Sequence, residues 1–178
     1  TYVNLAVLYA RGGRYHEALS TFNEALKTDP RNSDALTKLG AVYIHLGQHD
    51  EATSVLKRAL EVNPDDPVAH YTIAVNLGSQ GQLSEAIDAV RESIRLQPRS
   101  ADSHGYLATL YTDRKMYPEA AAAFKEAIRI SPDDPRMHFG LGKIYADTGD
   151  RVSALEEYKI LRKLKSESAD TLFSLIYK

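Results

Sequence analysis

Three histidines, His70, His104 and His138, stand 34 residues apart, and imidazoles recurring at a fixed interval raise the question of a metal ladder. A single metal needs nitrogens at about 2 Å. Equivalent residues on successively packed helices lie about 8–10 Å apart, so the three rings cannot share one ion. The spacing predicts instead that they fill equivalent packing slots. His45 and His49 are four apart but straddle Gly47, a break that denies them a common helical face. The stretch "GLGKIYADTGD" contains Gly140 and Gly142. A dinucleotide loop there would need a preceding strand, and the GxxxxGK pattern followed by Ser or Thr is absent. Glu17, Glu51, Glu85 and Glu119 each precede an alanine, where a carboxylate favours a helix N-terminus. The expectation is a chain without catalytic residues, metal or cofactor, and not an enzyme.

Bulk composition narrows the classes further. With 26% charged residues and a formal net charge of -2, the chain lacks the basic surplus of a nucleic-acid binder. It has no apolar run of about 18 residues, so membrane insertion is not expected. These features suit a soluble chain, with a cytoplasmic setting favoured. Cysteine is absent, which excludes disulfides and thiolate metal sites but leaves the compartment open.

The 34-residue interval organises everything else. Pro30, Pro64, Pro98 and Pro132 keep it, and the phrases "NPDDPVAH" and "SPDDPRMH" repeat at twice that distance. A fixed period of this length marks a repeat array. Units are expected at 1–32 (its first two residues missing), 33–66, 67–100, 101–134 and 135–168. Residues 169–178 would begin a sixth unit or form a capping helix. The mid-repeat start points to a piece of something longer. Before each unit stands Asn32, Asp66, Ser100, Asp134 or Ser168, all strong helix N-caps. Pro67 and Pro135 follow two of them, where the missing donor costs nothing. Gly13, Gly47, Gly81 and Gly149 share a mid-unit slot that suits a residue with positive φ closing a first helix; Lys115 takes it once. Helix-period apolar residues flank each break and none alternates with period two. Each unit therefore reads as an antiparallel helical hairpin, and the chain as all-α with about eleven helices.

The residues then resemble a known family, the tetratricopeptide repeat. The second unit carries Leu36, Leu39-Gly40, Tyr43, Ala52, Leu56, Ala59 and Pro64, and the fourth His104, Leu107-Ala108, Tyr111, Ala120, Phe124, Ala127 and Pro132. The first unit matches with Tyr2, Leu5-Ala6, Tyr9, Ala18, Phe22, Ala25 and Pro30. The third is looser, with Leu77 and Ser93, and the fifth has Leu161 in a small slot and Ser166 for proline. The resemblance implies an α-solenoid whose hairpins stack into a right-handed superhelix, the first helices lining a concave wall. On that implication the groove residues are Val3, Val7, Thr37, Lys38, Ala41, Tyr71, Val75, Gly105, Thr109, Phe139, Lys143, Phe173 and Tyr177. Asp34, Asp102, Asp113, Arg136 and Asp147 add charge beside them. Gly105 would leave a notch between Tyr71 and Phe139 for a partner's side chain.

The resemblance also implies a function, a scaffold that binds a peptide segment or helix of another protein in its groove. Two alternatives stay open: a regulatory or substrate-docking segment of a larger enzyme, and a scaffold that self-associates through its ends. The family's carboxylate-gripping pattern fails, because Val3, Val7, Thr37, Ala41, Tyr71 and Val75 stand where lysine and asparagine would. An asparagine ladder fails too, with Asn4, Lys38, Thr72, Tyr106, Gly140 and Ser174 along its row.

Overall fold

The computed structural model describes residues 2–178; Thr1, the expected third position of the first unit, lies outside the described residues. Among these residues the chain forms eleven α-helices and no strand. They are α1 (Tyr2–Arg11), α2 (Tyr15–Thr28), α3 (Ser33–His45), α4 (His49–Val62), α5 (Pro67–Ser79) and α6 (Leu83–Leu96). There follow α7 (Ala101–Asp113), α8 (Tyr117–Ile130), α9 (Pro135–Asp147), α10 (Arg151–Lys163) and α11 (Ser168–Ile176). Consecutive helices pair into five hairpins, and α11 packs on α9 and α10.

Local chemistry explains where each helix begins. The side chains of Asn32, Asp66, Ser100 and Asp134 accept hydrogen bonds from the backbone amides of Ala35, Val68, Ser103 and Arg136. Each satisfies one of the otherwise unpaired donors of a first turn. The fifth expected cap is corrected. Ser168 is the first residue of α11, Glu167 precedes it, and the hydroxyl of Ser166 accepts from the Ser168 amide.

The turns inside hairpins need a left-handed residue. Gly13, Gly47, Gly81 and Gly149 have φ between 71° and 81°. Lys115 adopts the same conformation with φ 58°, which a side chain with a Cβ tolerates at a cost. Lys165 does so as well, with φ 56°, and it sits between hairpins rather than within one. There the Ser166 amide donates to the Leu161 carbonyl, the same closure that Arg14 makes to Tyr9. The fifth hairpin thus joins α11 through a turn of the intra-hairpin kind, where the other junctions use a prolyl loop. That accounts for the missing proline at Ser166.

Packing follows the small–bulky–small pattern. Ala18, Ala52, Ala86, Ala120 and Ala154 are all fully buried, so the helices of each hairpin approach at close range. The chain divides into two compact units, Thr1–Leu96 and Gln97–Lys178. In the first, Ala6, Phe22, Leu36, Leu39 and Val42 belong to one buried cluster. In the second, Leu161, Leu172 and Ile176 close a cluster over the last hairpin. Tyr158 is half-buried against that cluster and sits beside Phe173 at 5.2 Å between ring centroids.

Replacing Lys115 with glycine relieves the left-handed strain while adding freedom to the unfolded chain. Lys115→Gly should raise the unfolding free energy by about 0.5–1 kcal/mol, read by urea denaturation. No gain, or a loss, would mean the turn is not held left-handed.

Candidate functional site

In the first unit the expected wall residues separate by depth. Val3 and Val7 are half-buried and pack on the core, Ala41, Tyr71 and Val75 are half-buried, and Lys38 pairs with Asp34 one turn earlier. Thr37 is corrected: it is 3% exposed, and its hydroxyl donates to a carboxylate oxygen of Asp66 at 3.2 Å. That bond ties α3 to the cap of α5, so Thr37 is not available to a ligand. An open pocket of about 500 Å³ collects Val7, Lys38 and Ala41. Ala10 extends its apolar floor over the buried Phe22 and Val42, and Arg11, Tyr15 and His45 complete the lining. Tyr15 was missed because the resemblance assigns second helices to the outer side. Its ring lies flat on His45, with centroids 4.7 Å apart and planes 10° from parallel. A large aromatic directly after the glycine turn was the available signal.

The second unit changes the picture at Gly105. This glycine is buried, and a Cβ added there would lie 2.6 Å from the sulfur of Met137 on α9. The expected notch is therefore filled: Gly105 lets α7 and α9 come together, with the flexible thioether occupying the space. Thr109 and Lys143 are exposed and Phe139 is half-buried against the terminal cluster. Phe173 and Tyr177 are 43% and 58% exposed, with ring centroids 4.7 Å apart. Arg136, expected to add charge beside the groove, bonds both Asp102 at 2.8 Å and Asp134 at 2.6 Å. Its guanidinium holds the Asp134 carboxyl below the usual carboxylate range, and the backbone amide at the start of α9 adds to that.

The histidines take a polar role that the sequence reading did not find. Nε2 of His70, His104 and His138 donates to the carbonyls of Pro64, Pro98 and Pro132, at 3.0, 3.0 and 2.8 Å. Each ring ties the start of a first helix to the prolyl loop before it. A carbonyl can only accept, so Nε2 carries the proton. His138 alone is buried, and its Nδ1 lies 2.7 Å from Glu157. His49 belongs to a second network. Its Nδ1 meets the Asn76 side-chain oxygen at 2.8 Å, while the Asn76 amide donates to the His49 carbonyl and the Thr53 hydroxyl. Asn76 is 1% exposed in a slot that the other first helices give to Leu8, Val42, Leu110 and Ile144. Its polar partners keep a buried amide from going unsatisfied. Among the described residues no cluster of three His, Asp or Glu is placed to hold a metal, and no helix is long and apolar enough to cross a membrane.

A tetratricopeptide repeat model matches residues 9–75, and a TPR repeat model matches residues 108–149. The chain belongs to the tetratricopeptide repeat family. Solved structures agree on an all-α repeat solenoid. A thermophilic TPR protein from Thermus thermophilus is 25% identical over 99% of this chain and 98% of its own, with a TM-score of 0.82. MamA is 25% identical over 93% of this chain and 96% of its own, with a TM-score of 0.76. YrrB, a TPR protein with an unusual peptide-binding site, is 21% identical over 92% of this chain and 84% of its own, at a TM-score of 0.67. No curated protein matches the sequence. Tetratricopeptide arrays serve in general as non-catalytic scaffolds for protein–protein interaction, and that general role is what membership supports here.

The close approach at Gly105 has a direct consequence. Gly105→Leu should lower the unfolding free energy by about 1–3 kcal/mol through overpacking, and adding Met137→Ala should recover part of the loss in the same urea titration. A neutral Gly105→Leu would restore the notch.

Proposed function

We propose that this tetratricopeptide array is a non-catalytic interaction module that holds a peptide segment or helix of another protein against its first helices. The observation that carries the reading is the open pocket of about 500 Å³ in the first unit. Its floor is apolar and its position matches three groove residues expected from the repeat register, Val7, Lys38 and Ala41. Val3, Tyr71 and Val75 would extend the contact in the first unit. Thr109, Phe139, Lys143, Phe173 and Tyr177 would serve in the second. An apolar recess with a few polar groups at its edge suits side-chain recognition. A preformed wall also loses little freedom on binding, so modest contacts give useful affinity. YrrB binds peptide on a similar fold, which is compatible with this role.

Ala41 borders the recess, so Ala41→Trp fills it with an indole. Affinity capture with the parent chain and with this variant should show partners lost from the variant at least about tenfold. A control outside the pocket lining, Lys57→Trp at an exposed position of α4, should retain them. Equal recovery by all three would place binding elsewhere.

One observation favours self-association as a second reading. Tyr2, Leu5 and Leu8 on α1 are 57%, 42% and 63% exposed. Their counterparts on α3, Leu36, Leu39 and Val42, are buried at 2% or less, and α2 and α4 both pack on that helix. An uncovered apolar face of this kind favours association. Sedimentation velocity over a concentration series should then show reversible oligomers that Leu5→Lys with Leu8→Glu abolishes. A monomer at every concentration removes the reading.

A further inference from the structure

We infer that the pocket of the first unit selects an acidic segment, one that presents a bulky apolar side chain flanked by carboxylates. This rests on the groove reading above and narrows it. The lining combines an apolar floor with Arg11, Lys38 and His45, and holds no aspartate or glutamate. Lys38 is paired with Asp34 on its own helix. Arg11 is exposed, and its side chain makes no hydrogen bond or ion pair with any described residue, which leaves the guanidinium open to a ligand. His45 offers ring nitrogens without a hydrogen-bond partner among the described residues, while stacking on Tyr15 fixes the ring plane.

The placement of these groups is regular. Arg11 and His45 occupy the same repeat position on α1 and α3, which pack against each other. Neighbouring packed helices lie about 8–10 Å apart. An extended chain advances about 3.3 Å per residue, so carboxylates about three residues apart span that distance. A side chain between them drops onto the partly exposed floor of Val7, Ala10 and Ala41, beneath which Phe22 is fully buried. The whole chain carries a formal charge of -2, so the attraction is local to this rim rather than a property of the overall charge. It is screened by salt, since the Debye length falls from about 10 Å at 0.1 M to about 3 Å at 1 M.

The test pans a library of random linear peptides on the 178-residue chain, with counter-selection on the Ala41→Trp variant. Enriched peptides should carry Asp or Glu on both sides of Leu, Ile, Met or Phe. By fluorescence polarisation, Arg11→Glu should weaken a selected peptide at least about tenfold, and added salt should weaken it as well. Circular dichroism of both variants checks that the helices are intact. Neutral or basic peptides that still depend on Ala41 would overturn the acidic assignment and leave the groove reading standing. A library yielding no peptide sensitive to Ala41→Trp would overturn both.

Discussion

The structure depends on the contact between the second helix of each hairpin and the first, made across a row of alanines with no exposed surface. Ala18, Ala52, Ala86, Ala120 and Ala154 leave no room for a larger side chain. Dispersion falls off over fractions of an ångström, so the close approach secures the packing energy of each pair. Large residues such as Phe22 and Leu56 then fill what lies beyond. A single hairpin buries only part of its apolar surface, and each neighbour completes it. The pocket of the first unit exists because this stacking holds α1, α2 and α3 at fixed spacing, with Val7, Ala10 and Ala41 facing one opening.

Much of the fold was legible in the sequence because its punctuation is local. A cap residue such as Asn32 or Asp134 acts within three residues of itself, and a left-handed glycine acts on its own turn. Both can be read without knowledge of tertiary contacts. The exception follows the same physics: Ser168 lost its capping role to Ser166 because Lys165 closed α10 with a turn of the other kind. That change depends on how α10 ends, which the spacing of landmarks does not encode.

The candidate site was less legible, for a different reason. The fifth position of each repeat lies at the edge between wall and interior, so its exposure depends on what the next hairpin brings. Thr37 meets Asp66 and is buried, whereas Val3 and Tyr71 at the same position keep part of their surface. Gly105 looked like a gap, but Met137 is long and pliable enough to reach it from α9. Val7, Lys38 and Ala41, named from the repeat register, line the pocket. The register could not place Tyr15, which reaches the opening from the start of a second helix.

The joint between the second and third hairpins carries a buried polar network. Where other first helices place Leu8, Val42, Leu110 and Ile144, Asn76 exchanges hydrogen bonds with His49 and Thr53. Oily surfaces tolerate a small slip, but directional bonds accept one seating. These two hairpins are therefore a matched pair. Exchanging either for another copy from the array would leave the buried Asn76 amide or the half-buried His49 ring without its partner, so interchangeability, the usual property of repeat units, ends at this seam.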